Sequence, residues 1–143
     1  MIVYADTSAL AKLLLDEDGS EEMIATTARA ELLGSAAIAY IELRAALAAA
    51  IRDGRIAAGL RDRIVQALER VWEGVSEVTL DRPLLRDAGD LAERMQLRGY
   101  DAVHLAALQE LGSPDAVTFA CWDSELRRAA HALGRAVVPR FDA

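Results

Sequence analysis

Ile2-Val3-Tyr4-Ala5-Asp6-Thr7-Ser8-Ala9-Leu10 opens the chain, and its order sets the fold. Four apolar residues end at a polar cluster, and good helix formers follow as far as Leu15. A short apolar run bounded in this way predicts a strand buried on both faces, the habit of parallel sheets. A parallel strand must be followed by a crossover, so helices and strands should alternate downstream.

The rest of the chain follows that alternation. Asp16-Glu17-Asp18-Gly19 stops the first helix, and Ser20 is placed to cap a second, which runs to about Leu33 and ends at Gly34. Residues 35–39 are expected as the second strand. Helices over 41–52 and 57–72 come next, the latter with Leu60, Ile64, Leu68 and Val71 on one face. Residues 75–80 alternate as a third strand. Asp81 caps a helix with Pro83 in its first turn, where a missing N–H costs nothing, and Gly99 breaks it. Residues 100–111 predict a short apolar helix and 116–121 a fourth strand. Asp123 or Ser124 opens a helix to Leu133, and residues 136–138 form the last strand. The expected fold class is α/β, a parallel sheet with helices on both faces. With no linker, repeat or low-complexity stretch, residues 1–143 are expected to form one domain.

Composition limits what such a domain can do. Of 143 residues, 53% are hydrophobic and 27% charged, which excludes a disordered chain. There are 23 acidic residues against 16 basic ones, a net charge of -7. Overall positive charge therefore cannot hold nucleic acid, and any such role needs a local basic patch or bound metal ions. Lys12 is the only lysine, so the other basic residues are arginine. Cys121 is the only cysteine, which excludes an intrachain disulfide and a zinc spacing. No basic leader precedes Asp6, and the longest apolar run, residues 45–51, is far below the roughly 20 residues that span a bilayer. The expectation is a cytoplasmic protein with no membrane segment.

In open parallel sheets, ligands gather beyond the carboxyl ends of the strands. Asp6 follows the first strand directly, Glu42 lies shortly past the second, and Asp123 follows the fourth. Asp101 opens the apolar helix 100–111. Each acid alone has an ordinary explanation as a helix cap or a solvated side chain. Together, at one sheet edge, they would repel one another at about 4 kcal/mol per pair 4 Å apart. A hard divalent cation with oxygen ligands, Mg²⁺ or Mn²⁺, resolves that conflict and is the usual apparatus of phosphodiester hydrolysis. Thr7 and Ser8 add hydroxyls that either orient a metal-bound water or cap the helix.

At these residues the sequence resembles a known family. Asp6-Thr7-Ser8-Ala9-Leu10, Tyr40-Ile41-Glu42-Leu43, Tyr100-Asp101-Ala102-Val103-His104-Leu105-Ala106 and Phe119-Ala120-Cys121-Trp122-Asp123-Ser124-Glu125-Leu126 look like the four acidic motifs of PIN domains, most like VapC-type toxins. The resemblance implies a five-stranded parallel sheet and Mg²⁺- or Mn²⁺-dependent endoribonuclease activity. It implies that Asp6, Glu42, Asp101 and Asp123 are the catalytic and metal-binding acids, with Asp6 and Asp101 the best-defined ligands. It also implies an RNA substrate, a homodimer and a VapB-type antitoxin laid over the active-site groove. The chain departs from the pattern at Cys121-Trp122, where a small polar pair with Thr is common, and before Glu42, where Ser or Thr is common.

Other residues have two readings each. Lys12, Arg44, Arg98, Arg127 and Arg128 form either a basic rim for RNA phosphates or an ordinary charged surface. His104 either reaches substrate or packs at the edge of the core. Trp122 stacks on bases or lines the fold, whereas Trp72 fits a core or interface position. Cys121 fits a buried small hydrophobe rather than a nucleophile. Two other functions remain open. A haloacid-dehalogenase-like phosphatase also places an Asp after its first strand, but its second acid would fall at Ser8. A catalytically silent PIN-like module would bind RNA or protein without turnover.

Overall fold

The computed structural model describes residues 1–141. Five strands, β1 (Ile2–Ala5), β2 (Leu32–Ala36), β3 (Val75–Val78), β4 (Val117–Ala120) and β5 (Ala136–Val138), form one sheet in the order β3-β2-β1-β4-β5. Every pair is parallel. The helices are α1 (Thr7–Ala11), α2 (Ser20–Ala28), α3 (Ile38–Arg52), α4 (Arg61–Glu73), α5 (Arg82–Met95), α6 (Gly99–Leu111) and α7 (Ser124–Ala132).

The period of two along β1 divides the core. Tyr4 points into one cluster with Leu84, Leu91, Leu105, Leu108 and Phe119, under α5, α6 and α7. Val3 and Ala5 point into the other, with Leu10, Met23, Leu43 and Leu68 of α1 to α4. Gly34 lets α6 close on the sheet, since a Cβ there would lie 2.5 Å from Leu111 Cδ2. The chain runs from β1 outward to β3, then returns to place β4 on the other side of β1. That reversal opens a crevice at the carboxyl ends of β1 and β4.

Four local expectations need correction. The second strand lies three residues earlier than expected, because Leu32 and Leu33 take the register against Ile2 and Val3. The second helix therefore stops at Ala28 instead of Leu33. Residues 38–40 then join α3, where alanine favours helix over sheet. Ser20 does not cap α2; Gly19 does, with φ 89°, while the Ser20 hydroxyl donates to Leu15 O and accepts from Glu17 N–H. Gln96, with φ 54°, ends α5, and Gly99 starts α6 rather than breaking its predecessor. The expected helix 57–72 is a 3-10 turn over Ala58–Leu60 followed by α4, and Leu60 is exposed rather than on the buried face.

Candidate active site

Asp6 is the first residue beyond β1 and is fixed by both chains around it. Its N–H donates to Ala120 O at 3.2 Å, tying it to the end of β4. Its Oδ1 accepts from the Ala9 N–H at 2.9 Å and the Ser8 hydroxyl at 2.7 Å, so Asp6 caps α1. Its Oδ2 accepts from the Cys121 thiol at 3.1 Å. Asp6 is 4% exposed, and burial raises its carboxyl above the usual range against the opposing pull of His104 and these hydrogen bonds.

Glu42 sits in the second turn of α3. Its Oε1 accepts from the Thr7 hydroxyl at 2.8 Å and from His104 Nε2 at 2.7 Å. Burial pushes its carboxyl up, but those two hydrogen bonds and the charge of His104 outweigh burial and hold it below the usual value. Asp101 lies in the first turn of α6 without capping it. Its Oδ2 accepts from Arg98 Nε at 3.2 Å. Burial raises its carboxyl, Arg98 opposes the rise, and the negative charge of Asp123 adds to it. Asp123 caps α7 through Oδ1 to the Leu126 N–H at 2.9 Å.

The crevice thus gathers acids from four separate elements. Asp101 faces the charges of Asp123 and His104, and Asp6 that of His104, which also holds Glu42. Glu42 Oε2, Asp101 Oδ1 and Asp123 Oδ2 have no N–H or O–H donor among the described residues, and Asp6 Oδ2 has only the weak thiol donor. Among the described residues, no three acid, histidine or cysteine side chains stand close enough to form a metal cage unaided. By donor chemistry, an all-oxygen set suits a hard cation that keeps several of its waters, and it does not suit zinc.

The hydroxyls do specific work. Thr7 holds Glu42, while Ser8 donates to Asp6 and accepts from the Trp122 N–H at 2.8 Å, joining α1 to the end of β4. Of the basic residues, Arg98 touches Asp101 directly. Lys12 pairs with Glu17 at 2.9 Å and lies 5.7 Å above the Trp122 ring, beside the crevice. Arg44 is drawn elsewhere, donating to the Tyr40 hydroxyl at 3.0 Å, which in turn donates to Glu69 of α4. Arg127 stacks over Phe141, and Arg128 is exposed on α7. Trp122 is packed against Gly19 and walls the fold. Trp72 meets Tyr40 edge-on and donates to Glu77.

Two residues have more to do than the sequence suggests. Cys121 is fully buried as expected, yet its thiol is a hydrogen-bond donor to an acid of the site. Burial and the charge of Asp6 push that thiol well up, so it stays protonated and donating. His104 is 2% exposed and lies at the centre of the cluster, bonded to Tyr4 and Glu42. The one signal for it in the sequence is its isolation: between Ala102 and Leu108 it is the only polar side chain.

Comparison with known proteins bears on this arrangement. Residues 3–132 match the family model of the PIN domain. The chain is 39% identical over 138 residues to a Mycobacterium tuberculosis protein named ribonuclease VapC45, covering 96% of this chain and 95% of that one. Among solved structures, PAE2754 from Pyrobaculum aerophilum superposes with a TM-score of 0.68 at 20% identity, covering 96% of this chain and 84% of the other. A toxin–antitoxin complex from Klebsiella pneumoniae gives 0.64 at 16% identity, with 99% of both chains covered.

Proposed function

The chain belongs to the PIN-domain family, and on that premise we propose that it is a metal-dependent endoribonuclease of the VapC toxin type, silenced by a partner antitoxin. The observation that carries the proposal is the grouping of Asp6, Glu42 and Asp101 around His104, with Asp123 beside Asp101, from four separate elements. A relative named as a ribonuclease, aligned over nearly the whole of both chains, supports the substrate class.

Asp6 and Asp101 would hold a Mg²⁺ or Mn²⁺ ion directly, Glu42 would complete its shell or serve as the base, and Asp123 would hold a second ion or an outer water. Bound there, the ion supplies an activated water and positive charge for the phosphoryl oxygens. The protein's own groups do the rest. Glu42 keeps Oε1 occupied by Thr7 and His104, which leaves Oε2 as the oxygen that would either complete the shell or take the proton of the attacking water. Ser8 and the Ala9 N–H pin Asp6 through Oδ1 and leave Oδ2 facing the weak thiol. Arg98, paired with Asp101 but with its side chain 62% exposed, would exchange that partner for a substrate phosphate.

Regulation follows from the same charge. An acidic crevice accepts an arginine-bearing segment as readily as a metal, and a solved neighbour of this fold is a toxin–antitoxin complex. We therefore propose an antitoxin partner, and the VapC likeness carries with it the proposal of a homodimer acting in the cytoplasm. Among the described residues no helix is long and apolar enough to cross a membrane. Induced alone in a bacterial host, the protein should arrest growth, whereas Asp101→Asn should not. Arrest by Asp101→Asn at wild-type strength would refute the assignment of the site.

A further inference from the structure

We propose that His104 is a positioning residue for Glu42, held in its working orientation by the buried hydroxyl of Tyr4. The inference rests on the reading of Glu42 as an acid of the metal shell. His104 lies in α6, one turn after Asp101, on a segment otherwise made of buried apolar side chains. Its two nitrogens have different partners. Nδ1 meets the Tyr4 hydroxyl at 2.8 Å, and Nε2 meets Glu42 Oε1 at 2.7 Å, with the Thr7 hydroxyl at 3.3 Å.

The chemistry of the partners fixes the proton on one side. An ionised Glu42 is an acceptor only, and the Thr7 hydroxyl already donates to its Oε1. The Nε2 position must therefore carry a hydrogen for the 2.7 Å contact to be a bond. Tyr4 is itself anchored, since its oxygen accepts the Ala36 N–H at 3.1 Å and its ring packs edge-on to the imidazole. A chain thus runs from β2 through Tyr4 and His104 to one oxygen of Glu42. It fixes Oε1 from the core side and leaves Oε2 without a protein donor, the role that outer hydrogen-bond partners play for ligating side chains.

Asparagine and glutamine separate this role from core packing. The Asn amide reaches the place of Nδ1 and can keep Tyr4, but it stops short of Glu42. The Gln amide reaches the place of Nε2 and can restore the donor. With metal-stripped protein and no RNA, calorimetric titration with Mn²⁺ should show His104→Asn weakened about 10–100-fold, as for other outer-shell partners. His104→Gln should stay close to wild type. RNA cleavage should show the same ranking in kcat with KM unchanged. Tyr4→Phe, which keeps the imidazole and the ring, should fall between wild type and His104→Asn.

If His104→Asn folds and binds Mn²⁺ like wild type, the inference is wrong. If His104→Gln is as impaired as His104→Asn while both fold, the residue is merely structural and the inference also fails. Should His104→Asn not fold, Tyr4→Phe decides: wild-type Mn²⁺ affinity there overturns the proposal. Glu42→Gln serves as the reference. A loss of Mn²⁺ affinity in Glu42→Gln without one in His104→Asn removes only this inference, whereas wild-type affinity in Glu42→Gln removes the reading of Glu42 as well.

Discussion

Asp6 divides its two oxygens between structure and chemistry. Oδ1 caps α1 and holds Ser8, while Oδ2 faces the site with only the Cys121 thiol upon it. Burial raises its carboxyl, as it does that of Asp101, so in the metal-free fold both keep protons that the unfolded chain has already released. Metal-free stability must then fall as pH rises from about 4, where unfolded carboxylates titrate, through the raised folded values. Stabilisation by Mg²⁺ should grow over the same window, because the ion needs the ionised form. Asp6→Asn keeps the cap and removes the buried charge. Thermal melts near neutral pH should show its metal-free Tm at or above wild type, with no Mg²⁺ response, and cleavage should fall by more than about 100-fold. Arg98 acts in the opposite sense. Its guanidinium offsets Asp101 and Asp123 and repels a metal, so Arg98→Gln should bind Mn²⁺ more tightly in calorimetry. Its ion pair is exposed and screened by solvent, so stability should hardly change. At this scale the positions of Asp6 and Asp123 were legible, because an acid just beyond a buried strand falls at the sheet edge. The part played by His104 was not legible, because a lone histidine on an apolar helix face can equally be a satisfied core residue.

At the scale of elements, the turn into α2 supports the site from behind. Gly19 has φ 89°, and a Cβ there would lie 2.3 Å from Trp122 Nε1. Trp122 in turn gives its N–H to Ser8, the partner of Asp6. Gly19→Ala should therefore cost at least the roughly 1–2 kcal/mol of a left-handed alanine, with more for displacing the indole. Denaturant melts and a shifted tryptophan emission would register the two effects in turn, and unchanged stability would contradict the backbone cost. Most elements were legible because their periodicities agree with their boundary residues, as at Asp81, whose side chain caps α5 with Pro83 in the first turn. The second strand was misplaced because residues 36–39 are nearly all alanine, which carries no period. Its position is decided by pairing with β1, a long-range contact that no local pattern reports.

The whole molecule carries 23 acids against 16 bases, which taken alone opposes contact with RNA. Under the proposed function that opposition is lifted, because the sheet order brings four of the acids to one end of the sheet, where divalent ions would neutralise them. This outcome belongs to the topology. Residues 115 positions apart in sequence, such as Asp6 and Cys121, meet only because the chain returns from β3 to the other side of β1. The fold class was legible from the alternation of strands and helices. The hydrogen bonds that give each acid its orientation were not, since they join α1, α3 and α6 across the interior. The most direct test is end-mapping of total RNA cut by the purified protein with Mg²⁺, beside EDTA-treated and Asp101→Asn samples. The prediction is discrete cuts that leave 5′-phosphate and 3′-hydroxyl ends, absent from both other samples. Cuts of equal strength in EDTA or in Asp101→Asn, or ends bearing 2′,3′-cyclic phosphate, would contradict it.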